Sequence, residues 1–264
     1  MTLAVHLARW DLVPDGEPIE TPSSLLLAVR HNGVPAMLKV AREEEERRGG
    51  TLMAWWDGDG AAKVLARHAD ALLLERATGP RSLAAMAANG QDDDASRILC
   101  AVAARLHAPR AGQPPELVPL TRWFEALAPA ARTHGGLFAR ADRAAQALLA
   151  DPRDVVVLHG DIHHGNVLYS GERGWLAIDP KGLLGERTFD FVNILRNPDA
   201  VTALTPGRFE RQVEVLAASA SVERQRLLDW TLAFAGLSAA WHMADGMPAD
   251  LDLAVAALAS RRSA

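Results

Sequence analysis

The alternation of apolar and polar positions predicts a β-rich first part of the chain. Two apolar runs, "SLLLAV" (24–29) and "PAMLKV" (35–40), flank the segment "RHNG". An Asn-Gly pair between two such runs is typical of a β-hairpin. The following stretch "AAKVLARHADALLLERA" predicts two further strands around a His-Ala-Asp turn. We therefore expect an antiparallel sheet in this part of the chain.

One helix is predicted between these pairs of strands. In "AREEEERRGGTLMAWW" the acidic residues precede the arginines, an order that suits the helix dipole. Apolar side chains, among them Leu52, Met53 and Trp56, supply a face that can pack on the sheet. The Gly49–Gly50 pair weakens the prediction of one unbroken helix, because glycine disfavours helix interiors.

After Gly79-Pro80 the pattern changes to a helical period. "SLAAMAA" and "DDDASRILCAVAARLHA" predict helices, the second with three aspartates at its positive end. A proline-rich surface loop is predicted over 109–119, and helices over 120–131 and 137–150. From about Phe189 onward the chain is again predicted to be helical.

The segment 152–180 interrupts the helical part. It contains a β-branched strand, the polar motif "HGDIHHGN" (159–166), and then "VLY" and "WLAI" joined by the turn "SGERG". We therefore predict an α+β fold of two lobes, with residues 1–76 in a small antiparallel β lobe with one helix and residues 77–264 in a larger, mainly α-helical lobe. A cleft beside such a junction is a common place for a ligand.

Composition and charge narrow the possible partners. A net charge of -5 and a pI near 6.0 give no long-range attraction for nucleic acid or an anionic membrane. The single cysteine, Cys100, excludes an intramolecular disulfide and a multi-thiolate metal site. We find no secretory signal and no apolar run long enough to span a membrane. We expect a cytoplasmic, monomeric protein whose mild negative charge tolerates a cationic small substrate.

Three polar residues follow a spacing that indicates phosphoryl transfer. Asp161 precedes Asn166 by five residues, and Asp179 follows after a short predicted hairpin. The catalytic loop of protein kinases has the same interval between its base and a metal-binding Asn, with a second metal-binding Asp further on. Asp161 is thus the predicted catalytic residue, and Asn166 and Asp179 are the predicted Mg²⁺ ligands.

The first lobe supplies a cation that could bind the nucleotide phosphates. Lys39 lies in a predicted strand, and the acidic run Glu43–Glu46 follows on the predicted helix. A strand lysine that pairs with a helix glutamate and reaches nucleotide phosphates is the arrangement of kinases.

The segment "LHGDIHHGNVLYSGERGWLAIDPKGLLGERTFDFVNILRNP" resembles the core of the aminoglycoside/hydroxyurea resistance kinases, which include streptomycin 6-phosphotransferase. The resemblance extends more loosely from Ser23 to "SAAWHMADG" near residue 246. It implies a protein-kinase-like fold and transfer of the γ-phosphate of ATP or GTP to a hydroxyl of an aminoglycoside, with the 6-hydroxyl of streptomycin as the first expectation.

The resemblance also implies roles in nucleotide binding. Lys39 would contact the phosphates with Glu46 as its partner, because "ERRGG" is similar to a Glu-x-Arg-Gly stretch of the family. The hinge Glu75, Arg76 and Ala77 would contact the base through backbone groups. The glycine-rich loop of protein kinases is absent, so the backbone N–H groups of Ser23 and Ser24 are expected to contact phosphate instead.

Further polar residues near the motif are expected to support it or to face the substrate. His159, His163 and Asp190 are predicted to hold the catalytic loop in place, whereas the role of His164 stays open. Four residues are candidates for contacts with a cationic acceptor: Glu186, Trp241, His242 and Asp245.

Three alternatives remain at this point. The acceptor could be hydroxyurea or another small metabolite. The motif "GD.HHGN" superficially resembles metal-dependent phosphoesterases, although the further Asp-x-His and Gly-Asn-His elements of those enzymes are missing. A non-catalytic kinase-like binding module would be expected to lack Lys39, Asp161 or Asp179, and all three are present.

Overall fold

The N-terminal lobe is an antiparallel sheet with two helices, one more than the sequence pattern predicts. The computed structural model describes residues 3–261. The strands run in the order β1-β3-β4-β6-β5, and β2 pairs with the other part of β3. The elements are α1 (Leu3–Arg9), β1 (Leu12–Pro14), β2 (Ile19–Glu20), β3 (Ser24–His31), β4 (Val34–Ala41), α2 (Glu44–Trp56), β5 (Val64–His68) and β6 (Ala71–Glu75).

The predicted hairpin is confirmed, and its turn explains its register. Asn32 and Gly33 connect β3 to β4 with φ angles of 51° and 78°. Two consecutive positive φ angles define the turn whose twist matches that of the paired strands, and Asn and Gly tolerate them best. The turn fixes the pairing of His31 with Val34 and, further along, of Leu26 with Lys39.

The helix α2 is unbroken through Gly49 and Gly50, which the sequence pattern did not favour. A Cβ atom at Gly49 would lie 2.1 Å from the carbonyl oxygen of Pro180, and one at Gly50 would lie 2.4 Å from a methyl group of Leu72. The two glycines therefore let the helix approach both the C-terminal lobe and the sheet, and this close packing offsets their low helix propensity.

The C-terminal lobe is mainly helical. Its core contains the fully buried side chains of Trp230, Phe189 and Phe191. Its helices are α3 (Leu83–Ala88), α4 (Asp92–His107), α5 (Leu120–Trp123), α6 (Leu127–His134), α7 (Gly136–Ala150), α8 (Ala200–Ala203), α9 (Arg208–Ala220), α10 (Arg224–Ala244) and α11 (Asp250–Ala259), with 3₁₀ helices at Gly171–Arg173 and Arg187–Arg196. The helix α10 is buried nearly all round between α7 and α11.

Two small sheets carry the polar motif. Strands β8 (Val155–Leu158) and β11 (Leu183–Glu186) pair antiparallel, and β7 (Val118–Pro119) adds to β11 in parallel. Strands β9 (Val167–Tyr169) and β10 (Trp175–Ala177) form the predicted hairpin. The motif lies between β8 and β9, so the two sheets fix both of its ends.

The single helix predicted over 120–131 is wrong, because α5 and α6 are separate. Pro129 lies in the first turn of α6, where an N–H group has no partner within the helix. In one continuous helix this proline would remove a hydrogen bond, so the chain restarts the helix just before it. Within residues 3–261, no helix combines the length and apolar character needed to cross a membrane.

Candidate active site

A cavity of about 450 Å³ lies between the two lobes. Leu26, Met37 and Leu74 of the sheet line it on one side, and Leu168 and Ile178 of the C-terminal lobe line it on the other. Apolar side chains on both sides form a slot that suits a flat aromatic ring such as a purine base.

The predicted hinge follows the edge of this cavity. The strand β6 ends at Glu75, and Arg76 and Ala77 continue along the cleft. The side chain of Glu75 pairs with Arg173, and that of Arg76 pairs with Asp15. Because these partners occupy both side chains, the hinge offers mainly its backbone groups to a ligand.

Lys39 joins the two lobes at the centre of the cleft. Its ammonium group pairs with Glu46 of α2 and with Asp179 of the C-terminal lobe. Of the four glutamates at the start of the helix, it is therefore Glu46 that contacts the lysine. The hydroxyl of Ser23 donates a hydrogen bond of 2.7 Å to Glu46 Oε1, which leaves the other oxygen for Lys39.

The two predicted phosphate-binding serines differ. Both line the cleft. The N–H group of Ser24, however, donates to the hydroxyl of Thr21 at 2.9 Å, so it is not available to a phosphate. The expectation that both backbone N–H groups would face the nucleotide is therefore wrong for Ser24 and remains only for Ser23.

Asp179 is held in an uncommon backbone conformation. Its φ angle of 64° lies in the left-handed region, which costs most residues other than glycine about 1 kcal/mol or more. Burial disfavours its charged form, but Lys39 outweighs burial and holds the pKa of Asp179 below its ordinary value. The carboxylate is thus ionised at neutral pH and directed into the cleft, where it can bind a cation.

Asp161 is fixed by two amides. Asn193 Nδ2 donates to one carboxylate oxygen, and Asn166 Nδ2 donates to the other at 3.1 Å and to the Asp161 carbonyl at 3.0 Å. Burial raises the pKa of Asp161 to about 7, against the opposing field of Lys181. A carboxylate whose pKa lies near neutrality can accept a proton from a reacting hydroxyl.

Asn166 and Asp179 fit the ligand requirements of Mg²⁺. The Asn166 amide group directs its NH₂ at Asp161, so its amide oxygen remains to act as a ligand. The Ile178 N–H donates to the Asn166 carbonyl at 2.9 Å, which ties the loop to the strand end that carries Asp179. An amide oxygen and an ionised carboxylate are ligand types that Mg²⁺ accepts, with nucleotide phosphates completing its shell.

Asp190 braces the start of the motif from a buried position. Its oxygens accept hydrogen bonds from the N–H groups of His159 at 3.0 Å and Gly160 at 2.7 Å, and one contacts His107 Nε2 at 2.7 Å. Burial alone would raise the pKa of Asp190, but His107 and these N–H groups hold it below its ordinary value. The carboxylate therefore stays charged and keeps the loop in one conformation.

His159 links the loop to the two neighbouring segments. Its Nε2–H donates to the Ile178 carbonyl at 2.8 Å, and its Nδ1 accepts from the Asp161 N–H at 3.2 Å. Its ring stacks on Trp56 of α2 with 6.1 Å between ring centroids. Both nitrogens are occupied, so the ring positions the backbone of Asp161 and has no lone pair for a metal.

The two other histidines of the motif are neutral. His163 Nδ1 accepts from the Gly165 N–H at 3.0 Å, and burial lowers its pKa to about 4. His164 is buried near Asp92, and burial followed by the field of Arg208 lowers its pKa to about 3. In residues 3–261 no three His, Cys, Asp or Glu side chains are placed to bind one metal ion.

Three of the four candidates for acceptor contacts lie together at the end of α10, and Glu186 lies apart from them near its start. Glu186 is buried in an ion pair with Arg226, and its expected contact with a cationic acceptor is wrong, because this pair already neutralises it. Trp241 packs on Trp123, and His242 Nδ1 contacts a buried aspartate at 2.7 Å. Asp245 is exposed at the end of α10. None of the four lines the interlobe cleft.

Sequence reasoning missed Asn193, His107 and Lys181. One signal for Asn193 was present, because it follows Asp190 by three residues in the 3₁₀ helix Arg187–Arg196. Residues three apart lie on one face of a 3₁₀ helix, so both can reach the same loop. His107 carries no such local signal, since it reaches Asp190 from the end of α4.

Comparison with known proteins agrees with this geometry. A family model for aminoglycoside/hydroxyurea antibiotic resistance kinases matches residues 9–246. The chain is 53% identical to a streptomycin 3''-kinase of Klebsiella pneumoniae, over 97% of this chain and 99% of that protein. It is 35% identical to a streptomycin 6-kinase of Streptomyces glaucescens, over 96% and 85% of the two chains.

The fold is also that of solved kinases of this type. The aminoglycoside phosphotransferase APH(3'')-Id of Streptomyces rimosus, solved with ADP and streptomycin, superimposes with a TM-score of 0.62. The two proteins are 16% identical, and the match covers 89% of this chain and 97% of that one. The predicted two-lobed, protein-kinase-like α+β fold is thus confirmed. The chain belongs to the aminoglycoside/hydroxyurea antibiotic resistance kinase family, and it is a phosphotransferase with an alcohol group as acceptor.

Proposed function

We propose that this kinase transfers the γ-phosphate of ATP or GTP to a hydroxyl of streptomycin in an Mg²⁺-dependent reaction. The observation that carries the proposal is the convergence, in one cleft, of Lys39 and Asp179 beside the loop that holds Asp161. The relatives named above, both streptomycin kinases, support the choice of acceptor. We further propose residues 1–76 as the nucleotide-binding lobe and residues 77–264 as the catalytic and acceptor-binding lobe.

The proposed chemistry assigns a task to each residue. Asp161 orients the acceptor hydroxyl and takes its proton as the new oxygen–phosphorus bond forms. Lys39 neutralises the nucleotide phosphates. Asn166 and Asp179 would hold Mg²⁺, which supplies further neutralisation of phosphate charge when bound.

The preferred hydroxyl differs from the first expectation. The motif resemblance alone pointed to the 6-hydroxyl of streptomycin. The similarity to the streptomycin 3''-kinase is greater and extends over nearly the full length of both chains. We therefore propose the 3''-hydroxyl as the acceptor.

The acceptor is cationic, so its binding surface is expected to carry negative charge. We propose that the end of α10, with Trp241, His242 and the exposed Asp245, contributes to that surface. Glu186 is not part of the proposal because Arg226 neutralises it. Hydroxyurea is a second candidate, since the matching family includes hydroxyurea kinases; it is neutral and would not need an acidic surface.

The test is a coupled assay of nucleotide consumption with ATP and with GTP. The acceptors are streptomycin, a second aminoglycoside, hydroxyurea and a simple sugar. We expect turnover with streptomycin, and a phosphorus–proton coupling in the NMR spectrum of the product that identifies the 3'' position. Coupling at position 6 would restore the first expectation, and turnover with hydroxyurea alone would overturn the streptomycin assignment. Phosphate release from simple phosphoesters without nucleotide consumption would favour a phosphoesterase.

A further inference from the structure

Lysine is rare in this chain, and its distribution is uneven. Only three lysines, Lys39, Lys63 and Lys181, occur among 28 lysines and arginines. Lys39 and Lys181 both line the interlobe cleft, whereas Lys63 is exposed and outside its lining. A lysine ammonium is a compact charge with three rotatable donors, and phosphate binding often uses it in that form. The cleft therefore holds two cations of the type that suits a nucleotide.

The backbone of Lys181 is held from both lobes. Its N–H donates to the His159 carbonyl at 2.7 Å, at the start of the catalytic loop. Its carbonyl accepts from Arg48 Nε of α2 at 3.2 Å. The preceding Pro180 packs on Gly49, where a side chain would not fit. These contacts fix the origin of the Lys181 side chain beside the reacting groups.

The side chain of Lys181 forms a partly exposed ion pair with Glu45, which it can break. Its Nζ lies 2.8 Å from Glu45 Oε1, and about a quarter of the lysine and a third of the glutamate are exposed, at 24% and 34%. A lysine is a cation at neutral pH with or without such a partner, so this group keeps its charge when it leaves Glu45.

We propose that Lys181 is a catalytic residue that leaves Glu45 to contact the γ-phosphate during transfer. The inference rests on the proposed phosphotransferase function. The acceptor oxygen forms a bond to the γ-phosphorus, the bond from that phosphorus to the bridging β-phosphate oxygen breaks, and the nucleoside diphosphate keeps the electron pair. The acceptor proton passes to Asp161. Lys181 balances the charge on the transferred group while Lys39 serves the other phosphates.

The N-terminal lobe explains why a cation from the C-terminal lobe is needed. The chain has no glycine-rich loop to cover the γ-phosphate, and the N–H of Ser24 is already bound to Thr21. Backbone donors on that side of the cleft are therefore few. The alternative is a purely structural role, in which the Glu45–Lys181 pair only ties α2 to the C-terminal lobe.

Nucleotide binding separates the two roles without any acceptor. The full chain and its variants Lys181→Met, Lys181→Arg and Lys63→Met are titrated calorimetrically with Mg·ADP and with Mg·AMP-PNP. We expect Lys181→Met to weaken AMP-PNP binding roughly tenfold, which is the loss of about 1.4 kcal/mol, and to leave ADP binding within about twofold. Its turnover is expected to fall roughly 10²–10³-fold. Lys181→Arg keeps a cation and restores part of both losses, and Lys63→Met behaves as the parent chain.

Equal weakening of both nucleotides, or turnover close to that of the parent, would overturn the inference and leave only the structural tie. If Lys181→Met does not fold, Lys181→Gln replaces it, and its affinities for ADP and AMP-PNP are compared in the same way. The acceptor assignment is tested separately. The parent chain could bind AMP-PNP more tightly than ADP through Lys181 and yet not phosphorylate streptomycin. That result would refute the streptomycin assignment and support the role of Lys181.

Discussion

Two polar clusters, one in the interlobe cleft and one buried in the C-terminal lobe, are built in opposite ways. The interlobe cluster consists of Lys39, Glu46 and Asp179, which are joined by ion pairs between side chains from three segments. Its carboxylate Asp179 is 38% exposed. The bracing cluster consists of His107 and Asp190, buried in the C-terminal lobe, with Asp190 bound to backbone N–H groups of the catalytic loop.

The difference indicates which contacts change during a catalytic cycle. In the proposed mechanism Lys39 and Asp179 exchange their mutual contact for phosphate and metal, so their ion pair has to be replaceable. The bracing cluster has no contact to exchange with a ligand, because Asp190 is bound to two backbone N–H groups and to the His107 ring and is buried. We infer that the first cluster belongs to ligand binding and the second to the fixed position of Asp161.

The largest expected effect is at Asp161, the residue whose position the bracing cluster fixes. Asp161→Ala removes the proposed base, and turnover is expected to fall roughly 10²–10⁴-fold. Nucleotide affinity should stay nearly unchanged, because the interlobe cluster remains intact. Steady-state kinetics and calorimetric titration with Mg·ADP measure the two quantities. Asp161→Asn is the control that keeps the size of the side chain, and retention of most activity in either variant would refute the mechanism.

A large loss of stability is expected from breaking the bracing cluster. Asp190→Ala leaves two backbone N–H groups and His107 buried without their acceptor. Removal of one partner of a buried charged network costs about 3–5 kcal/mol. The free energy of unfolding in urea measures this, with Asp151→Ala as control because that side chain is 76% exposed. Equal stability of the two variants would show that Asp190 does not brace the loop.

A smaller effect, mainly on nucleotide affinity, is expected in the interlobe cluster. Glu46→Gln removes the charge that positions Lys39. We expect the KM for ATP to rise roughly tenfold, about 1.4 kcal/mol, with less change in unfolding free energy than Asp190→Ala causes. Glu44→Gln is the matched control, since its side chain is 76% exposed. If Glu46→Gln lost as much stability as Asp190→Ala, the proposed difference between the two clusters would be refuted.

The sequence predicted features whose signal is local. The hairpin depends on Asn32-Gly33, and the spacing of Asp161, Asn166 and Asp179 is set by a loop and one short hairpin. Both features could be predicted from neighbouring residues, because the turn sequence and the short spacing are compatible with few other structures.

What the sequence did not predict depends on partners far away in the chain. The position of Glu186 shortly after the motif predicts a substrate contact, yet Glu186 is neutralised by Arg226, which lies on α10. Asp190 was assigned its bracing role, but its contact with His107 spans 83 residues. No local pattern encodes such pairings, since they arise only when helices pack.

The smallest expected effect is a change in the pH dependence of stability. It concerns His164, a residue of the motif that is buried but does not brace the catalytic loop. His164 is buried, and its ring nitrogens have no hydrogen-bonding partner in the described chain, residues 3–261. Its folded-state pKa is lowered to about 3, so the unfolded chain, with its ordinary value of 6.5, binds a proton that the folded chain does not. Stability from this group is therefore full above that ordinary value and is lost as the pH falls below it.

The matched variants are His164→Asn and His134→Asn, the second at an exposed histidine. Between pH 7.5 and pH 6.0, the parent chain should lose about 1 kcal/mol of unfolding free energy relative to His164→Asn, since one pKa unit corresponds to about 1.4 kcal/mol. Relative to His134→Asn the difference should stay smaller, because that variant and the parent chain both keep the buried His164 ring. If the difference in unfolding free energy between the parent chain and His164→Asn does not change with pH, the His164 ring takes up protons equally in the folded and the unfolded chain. The motif would then be more open to solvent than its neighbour Asp190 indicates.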